Sequence, residues 1–419
     1  MQTLPGFREF YPADCARRNY ILETWRSVAR RYGFVEYDGA VVEPLALYEK
    51  KSGGELVGQM FTVGAMAEPG EIKGALRPEM TPTLARMVAA RERDFKKPLK
   101  WFSLPNCFRH ERQQRGRLRE FYQLNLDIIG ETSAAADAEL LAVCIDTLRG
   151  FGFTENDIVV RVSSRTAWQR FFADAGGHPE DEYEFFQIVD KAERTPPEKT
   201  SAALAKFGLP TLTTDSVLTL MGSKEPTPDL APIVSDLNAR GLGAYIEIDY
   251  AIVRGLAYYT GVVFEVFDRA KSERALAGGG RYDGLLALMS DGKVNLPALG
   301  FGMGDVVLAN LIAEIPAARA QMEQWCANEH ACDVYVVVAK EEMRPQALGV
   351  VQQLRESGLR VDYAMTPAKV GKQFQAAENL GARTAVLIGD EWPQMKLKTL
   401  ATREELLASK DELLALLRR

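Results

Sequence analysis

The residues best suited to chemistry lie in a twelve-residue stretch, 109–120, that holds Arg109, Glu111, Arg112, Arg115, Arg117 and Arg119. Planar guanidinium groups match phosphate oxygens in pairs, so such a stretch is a candidate anion cradle, although a run of arginines is more often a solvated face. It joins two apolar segments, 100–108 and 121–129. Hairpin connections are usually about two to five residues, so one this long and this charged points to function. The wider segment from Lys96 to Arg119 carries eight Lys or Arg against one acid, Glu111, within a chain of formal net charge −6. Beyond the loop, Tyr122, Leu124, Leu126 and Ile128 alternate with Gln123, Asn125 and Asp127. Period-two geometry sends the three polar groups to one face, which is either the solvated side of a surface strand or the floor of a pocket. Farther on stand Arg254-Gly255-Leu256-Ala257-Tyr258-Tyr259-Thr260-Gly261 and Gly278-Gly279-Gly280-Arg281-Tyr282-Asp283-Gly284. A glycine triplet alone is a turn more often than a phosphate cradle, and this one lacks Walker and dinucleotide spacings. In combination, the arginine-rich connection, the polar strand face and a second arginine beside paired tyrosines suit a polyphosphate held next to a small polar substrate.

These groups need a frame. Ile21, Leu22, Trp25, Val28 and Ala29 recur at helical spacing and predict a helix over 17–32, stopped by Gly33. An extended stretch over 34–42 ends at Pro44, and Thr81 is placed to cap a helix with Pro82 in its first turn. From 157 to 243 the pattern is helical and polar, with breaks at Pro196-Pro197 and 226–232, and reads as an inserted, mostly helical module over about 165–240. Strand character returns at 244–250 and 262–267, with Glu247, Asp249 and Glu265 on alternate positions. Past Cys332, strands at 333–339, 359–363 and 384–389 alternate with helices at 343–358, 368–380 and 403–419, the pattern of a separate α/β unit. The domains expected are therefore 1–325 and 330–419.

Composition narrows the class. With 419 residues, 47% apolar and 26% charged, the chain is an ordinary globular protein of several domains' length. No apolar run approaches the roughly 18 residues of a membrane span, and residues 1–10 do not read as a signal peptide, so no membrane partner and a cytoplasmic location are expected. Five cysteines without CxxC spacing and three histidines make a structural zinc site an expected absence.

The motifs resemble those of the histidyl-tRNA synthetases, a class II aminoacyl-tRNA synthetase family, over nearly the whole length. Residues 31–44 resemble the first class II motif, which in the family builds the dimer interface. Residues 108–121 resemble the second, the ATP-binding hairpin. Residues 254–260 and 279–283 resemble the two histidine-specific motifs, and the terminal unit resembles the anticodon-binding domain. The resemblance implies an α/β (α+β) fold with an antiparallel sheet core, a helical insertion and a C-terminal α/β domain, working as a homodimer. It implies activation of histidine with ATP, accompanied by Mg2+, to histidyl-adenylate, then transfer to the 3′ end of histidine tRNA.

The resemblance also assigns residues. Arg109 and Arg254 grip the α-phosphate from opposite sides, Glu111 holds the adenine side, Arg117 holds the distal phosphates, and Arg119 also serves ATP. Glu79, Thr81 and Gln123 receive the α-amino group of histidine, Asp127, Tyr259 and Tyr282 surround the imidazole, and Arg254 and Tyr258 complete the pocket. Arg112 and Gln114 approach the acceptor end of the tRNA. There are departures: the third class II motif normally ends on an arginine over ATP, but 300–307 ends on Val307, a loss that Arg115, Arg117 or Arg119 would have to offset. Asp127 stands where many relatives have glutamate, Ala257 where aspartate is frequent, and Met80 where glycine is usual. The alternative these departures raise is a regulatory paralogue that senses histidine or tRNA without charging it.

Overall fold

The computed structural model describes residues 3–50, 58–64, 74–110, 114–192, 194–253, 258–270, 272–330 and 332–417, in two compact units, Met1–Met322 and Glu323–Arg419. In the first unit, strands β1 (Val35–Glu36), β5 (Leu99–Ser103), β7 (Glu120–Ile129), β8 (Ile158–Ser164), β9 (Ile246–Ile248), β10 (Val262–Asp268), β11 (Ala277–Arg281) and β12 (Ala298–Gly304) lie side by side in the order β1-β5-β7-β12-β11-β10-β8-β9, and β6 (Asn106–Phe108) pairs with β7. All neighbours are antiparallel except the two edge pairs, β1·β5 and β8·β9. A small three-stranded sheet, β2 (Val42–Pro44), β4 (Gly74–Leu76) and β3 (Thr62–Val63), stands apart. This is the antiparallel α+β core expected.

Several boundaries differ from the sequence reading for identifiable reasons. The apolar segment 100–108 is two strands, because Pro105 has no amide to continue a ladder; its carbonyl accepts the Gln123 amide instead. The helix expected over 17–32 runs Pro12–Arg31, with proline in its first turn where an amide is not needed. Thr81 is the first residue of its helix (Thr81–Ala90) and not the cap; Met80 holds the cap position, with no side-chain cap bond. The helical pattern expected from 157 begins only after β8, with Arg165–Asp174, Glu182–Ala192, Pro197–Leu204, Thr214–Gly222 and Ala231–Ala239.

In the second unit, β13 (Val334–Val338), β14 (Val361–Tyr363), β15 (Thr384–Ile388), β16 (Met395–Thr399) and β17 (Glu405–Ala408) form a mixed sheet in the order β14-β13-β15-β16-β17, with helices Arg344–Glu356, Val370–Asn379 and Lys410–Leu417. The helix expected over 403–419 is thus a strand followed by a shorter helix. Asp333 clamps the start of this sheet: its carboxylate accepts from the Arg360 amide at 2.8 Å and from Arg383 Nη2 at 2.6 Å. Burial alone would raise the Asp333 carboxyl, but the hydrogen bonds from Arg360 and Arg383 hold it down at about 2.

Candidate active site

Strand β7 carries the polar face predicted from its alternation, and the face is no solvated surface. Asn125 and Asp127 are 5% and 2% exposed, while Leu124, Leu126 and Ile128 fill the core behind them. What lies beside the polar face explains the glycines. In the β7·β12 ladder, Gln123, Asn125 and Asp127 stand opposite Gly304, Gly302 and Gly300; one strand on, Gly302 and Gly300 stand opposite Gly278 and Gly280. Because strand side chains alternate, these five glycines share one face with the polar residues and leave a bare strip two strands, or about 10 Å, wide. A Cβ on Gly302 would lie 2.6 Å from Gln123 Nε2, and one on Gly300 would strike Asp127 Oδ1 and the Leu126 carbonyl. The two β7 side chains therefore lie flat across space that only glycine leaves open.

At one end of this floor sits an aromatic pocket. Tyr282 donates its hydroxyl to Asp127 Oδ1. The Tyr258 ring is 4.6 Å from Tyr259 and 6.1 Å from Tyr282, centroid to centroid. Tyr259 and Tyr282 are buried against Leu84, Ala85 and Val88 of the Thr81–Ala90 helix. Burial, reinforced by the Asp127 charge, pushes the Tyr282 hydroxyl well above its usual range, so it remains a donor and Asp127 the acceptor. The two glycine- and tyrosine-bearing segments are tied together: the Thr260 amide donates to the Arg281 carbonyl at 2.9 Å, and the Asp283 amide to Thr260 Oγ1 at 3.2 Å. Arg281 is itself anchored on Asp137, 2.5 Å away, which fixes the backbone that aims Tyr282.

Arg109 stands at the base of the hairpin. Its amide donates to the Arg119 carbonyl, closing the two legs, its Nε donates to the Pro78 carbonyl at 2.9 Å, and its guanidinium lies 5.3 Å from the Phe121 ring centroid. Pro78 leads through Glu79 into the helix that walls the tyrosine pocket, so this hydrogen bond links Arg109 to the start of that helix; Glu79 and Thr81 are half-buried. The sequence reading missed Arg77, which is buried and bonds Asp38 Oδ1 at 2.8 Å, the Gly39 carbonyl at 2.9 Å and the Asn106 carbonyl at 3.0 Å, holding this connection in place. Nothing in its spacing marks it. Asn125 belongs to the same polar face by alternation alone; its Oδ1 is buried with no hydrogen-bond partner among the described residues.

The amino-terminal segment forms a third leg of the hairpin base. The Gly6 carbonyl accepts from the Arg119 and Glu120 amides, Arg119 Nη1 donates to the Pro5 carbonyl, and the Phe7 ring meets Phe61 and Phe108. The hairpin tip turns tightly, the Arg117 amide donating to the Gln114 carbonyl and Gly116 at φ +78. Arg115 and Arg117 are exposed there, and Gln114 bonds Arg274. Glu111, Arg112 and Arg254 lie outside the described residues. Among the described residues no cluster of His, Cys, Asp or Glu could hold a metal ion, and no helix is long and apolar enough to cross a membrane.

Comparison with known proteins agrees with this geometry. Residues 6–304 match the family model for histidyl-tRNA synthetase, and residues 333–419 match the anticodon binding domain. The chain is 40% identical to the histidine–tRNA ligase of Opitutus terrae, over all of this chain and 98% of that one. It is 34% identical to the histidine–tRNA ligase of Leptospira biflexa, over 99% and 96%. The crystal structure of histidyl-tRNA synthetase from Nostoc sp. PCC 7120 superposes with a TM-score of 0.78 at 25% identity, covering 100% of this chain and 99% of that one. Matches that run the length of both partners, anticodon domain included, do not favour the regulatory alternative. The chain belongs to the histidyl-tRNA synthetase family.

Proposed function

We propose that this protein is a histidine–tRNA ligase whose amino-acid pocket is the Asp127–Tyr258–Tyr259–Tyr282 cluster and whose ATP lies over the glycine floor beneath the hairpin. The observation that carries the reading is the buried Asp127 carboxylate, fixed by the Tyr282 hydroxyl inside an aromatic wall and a few residues along one strand face from Gln123. A ring bearing an N–H donor adds a hydrogen bond to that carboxylate, which an apolar side chain of the same size cannot supply.

In the first step an oxygen of the histidine carboxylate attacks the α-phosphorus of ATP, supplied as its Mg2+ complex. The bond to the bridging oxygen breaks and pyrophosphate leaves. Negative charge gathers on the phosphorus in transit, and Arg109 and Arg254 are the cations we assign to it. Glu79, Thr81 and Gln123 hold the α-amino group, with Asn125 as a further acceptor on the same face. Glu111, Arg117 and Arg119 serve the nucleotide, and Arg112 and Gln114 the tRNA acceptor end. In the second step a terminal ribose hydroxyl of histidine tRNA displaces AMP. The exposed Val35, Val41 and Val42, in the stretch that resembles the first class II motif, support a homodimer, and the work is that of the cytoplasm. The experiment is histidine-dependent exchange of labelled pyrophosphate into ATP. Exchange with histidine alone among the twenty amino acids is expected; silence with histidine still bound would overturn the ligase reading.

A further inference from the structure

The helix that follows the glycine floor, Asp305–Glu314, carries Val307 where an arginine is expected, and Val307 is 8% exposed. It is covered by the hairpin tip: a Cβ on Gly116 would lie 3.0 Å from Val307 Cγ2. With valine there, position 307 supplies no cation to the outer phosphates, and any replacement has to come from a neighbouring segment. The three arginines that the sequence reading offered are not equivalent. Arg119 is turned to the Pro5 carbonyl at the base of the hairpin. Arg115 is neutralised twice, by Glu273 at 2.6 Å and by Glu314. Arg117 is exposed at the tip.

A fourth arginine reaches the same spot from the connection between β10 and β11. Arg274 Nη2 donates to Gln114 Oε1, and its Cδ lies 4.0 Å from the Gly116 Cβ position, alongside Val307. The connection is built to hold it. Asp268, 1% exposed, accepts from the Ser272 amide at 2.7 Å, the Ser272 hydroxyl at 3.0 Å and the Glu273 amide at 3.2 Å, fixing the backbone immediately ahead of Arg274. Arg274 is exposed, and among the described residues it makes no ion pair, its one hydrogen bond going to a neutral amide. Its charge is therefore uncompensated while the neighbouring Arg115 is spent on carboxylates.

We propose that Arg274 replaces the arginine absent at position 307 and binds the outer phosphates of ATP, and hence the pyrophosphate product. This rests on the ATP-dependent reading above. The test uses the full chain with Arg274→Gln and Arg274→Lys, measuring equilibrium binding of Mg2+-pyrophosphate, ATP and AMP, together with histidine-dependent exchange. For Arg274→Gln, pyrophosphate and ATP should bind roughly 10-fold or more weakly, as loss of a charge-assisted contact predicts. AMP binding and the KM for histidine should stay within about twofold, and Arg274→Lys should recover much of the loss. Unchanged pyrophosphate and ATP binding would overturn the proposal. So would an equal loss for AMP and histidine, since that is the signature of a hairpin tether and not of a phosphate contact. If the wild-type chain shows no exchange, the ligase reading fails, and the pyrophosphate comparison between wild type and variant still decides the role of Arg274.

Discussion

The tyrosine pocket and the arginine hairpin, the two halves of the proposed site, are built on opposite principles. In the pocket every described polar group is set in a ladder or wedged between rings: Asp127 lies on its glycine neighbour and under Tyr282, and the backbone that aims Tyr282 is pinned by Arg281 on Asp137. At the hairpin tip Arg115 and Arg117 are exposed, and the exposed Arg274 of the neighbouring connection rests on a neutral partner, the Gln114 amide, that a polyanion can displace. The difference matches what we propose each half recognises. A neutral ring of fixed shape is selected by a rigid, desolvated cavity, in which an unpaired carboxylate is costly. A polyphosphate that arrives, reacts and leaves in pieces needs cations whose resting contacts are weak enough to exchange.

Four variants would sharpen or break this contrast. The largest effect is expected for Arg254→Ala: adenylate formation should fall by about 10²-fold or more while histidine binding persists, measured by single-turnover adenylation and by equilibrium binding. An unchanged rate would remove Arg254 from the phosphate side. Next comes Asp127→Asn, which replaces the buried charged acceptor. The KM for histidine should rise roughly 30- to 100-fold with the KM for ATP little altered, and a matched rise in both would mean that the two halves are not separate. Gly300→Ala adds one methyl group where Asp127 lies, and should lower stability by about 1–3 kcal/mol and histidine affinity several-fold, read by thermal melting and exchange kinetics. The smallest effect on the reaction is expected outside this unit, for Asp333→Asn. With its folded carboxyl held at about 2 and an unfolded value of about 3.9, Asp333 stabilises its sheet fully above about pH 4 and loses that contribution as pH falls towards 2. The variant should be less stable at pH 7 by about 1–2 kcal/mol, since both arginine partners reach solvent, with a gap that closes in acid and exchange activity unaltered.

The parts of the site that were legible in the sequence are those set by a strict geometric period. Gln123, Asn125 and Asp127 fall on one face because side chains alternate along a strand without a bulge, and the same rule, applied to Gly300, Gly302 and Gly304, gives the other half of the floor. What sequence could not decide was which of two faces meets water, because that depends on β12, almost two hundred residues away in the chain. Loop contributions were less accessible still. Arg274 lies in a connection with no period to read, and its place beside Val307 follows from the buried Asp268 that shapes the connection. At the other end, Glu405-Leu406-Leu407-Ala408 of β17 favours helix locally; pairing with β16 decides the matter, even with Leu407 53% exposed. Thr81 shows the reverse error, a residue type suited to capping that begins the helix it was expected to cap.

The hydrogen bonds from the legs of the hairpin to Pro5 and Gly6 tie its assembly to the order of biosynthesis. Arg8 and Glu120, which close this base, are separated by 112 residues. At about 5–20 residues per second, a ribosome makes the first of them several seconds before the second. Through that interval the backbone partners of the early strip on the second leg of the hairpin do not yet exist, so the hairpin cannot mature from its own sequence alone. A fusion partner attached just ahead of this strip should therefore disturb nucleotide handling before it disturbs the amino-acid cavity.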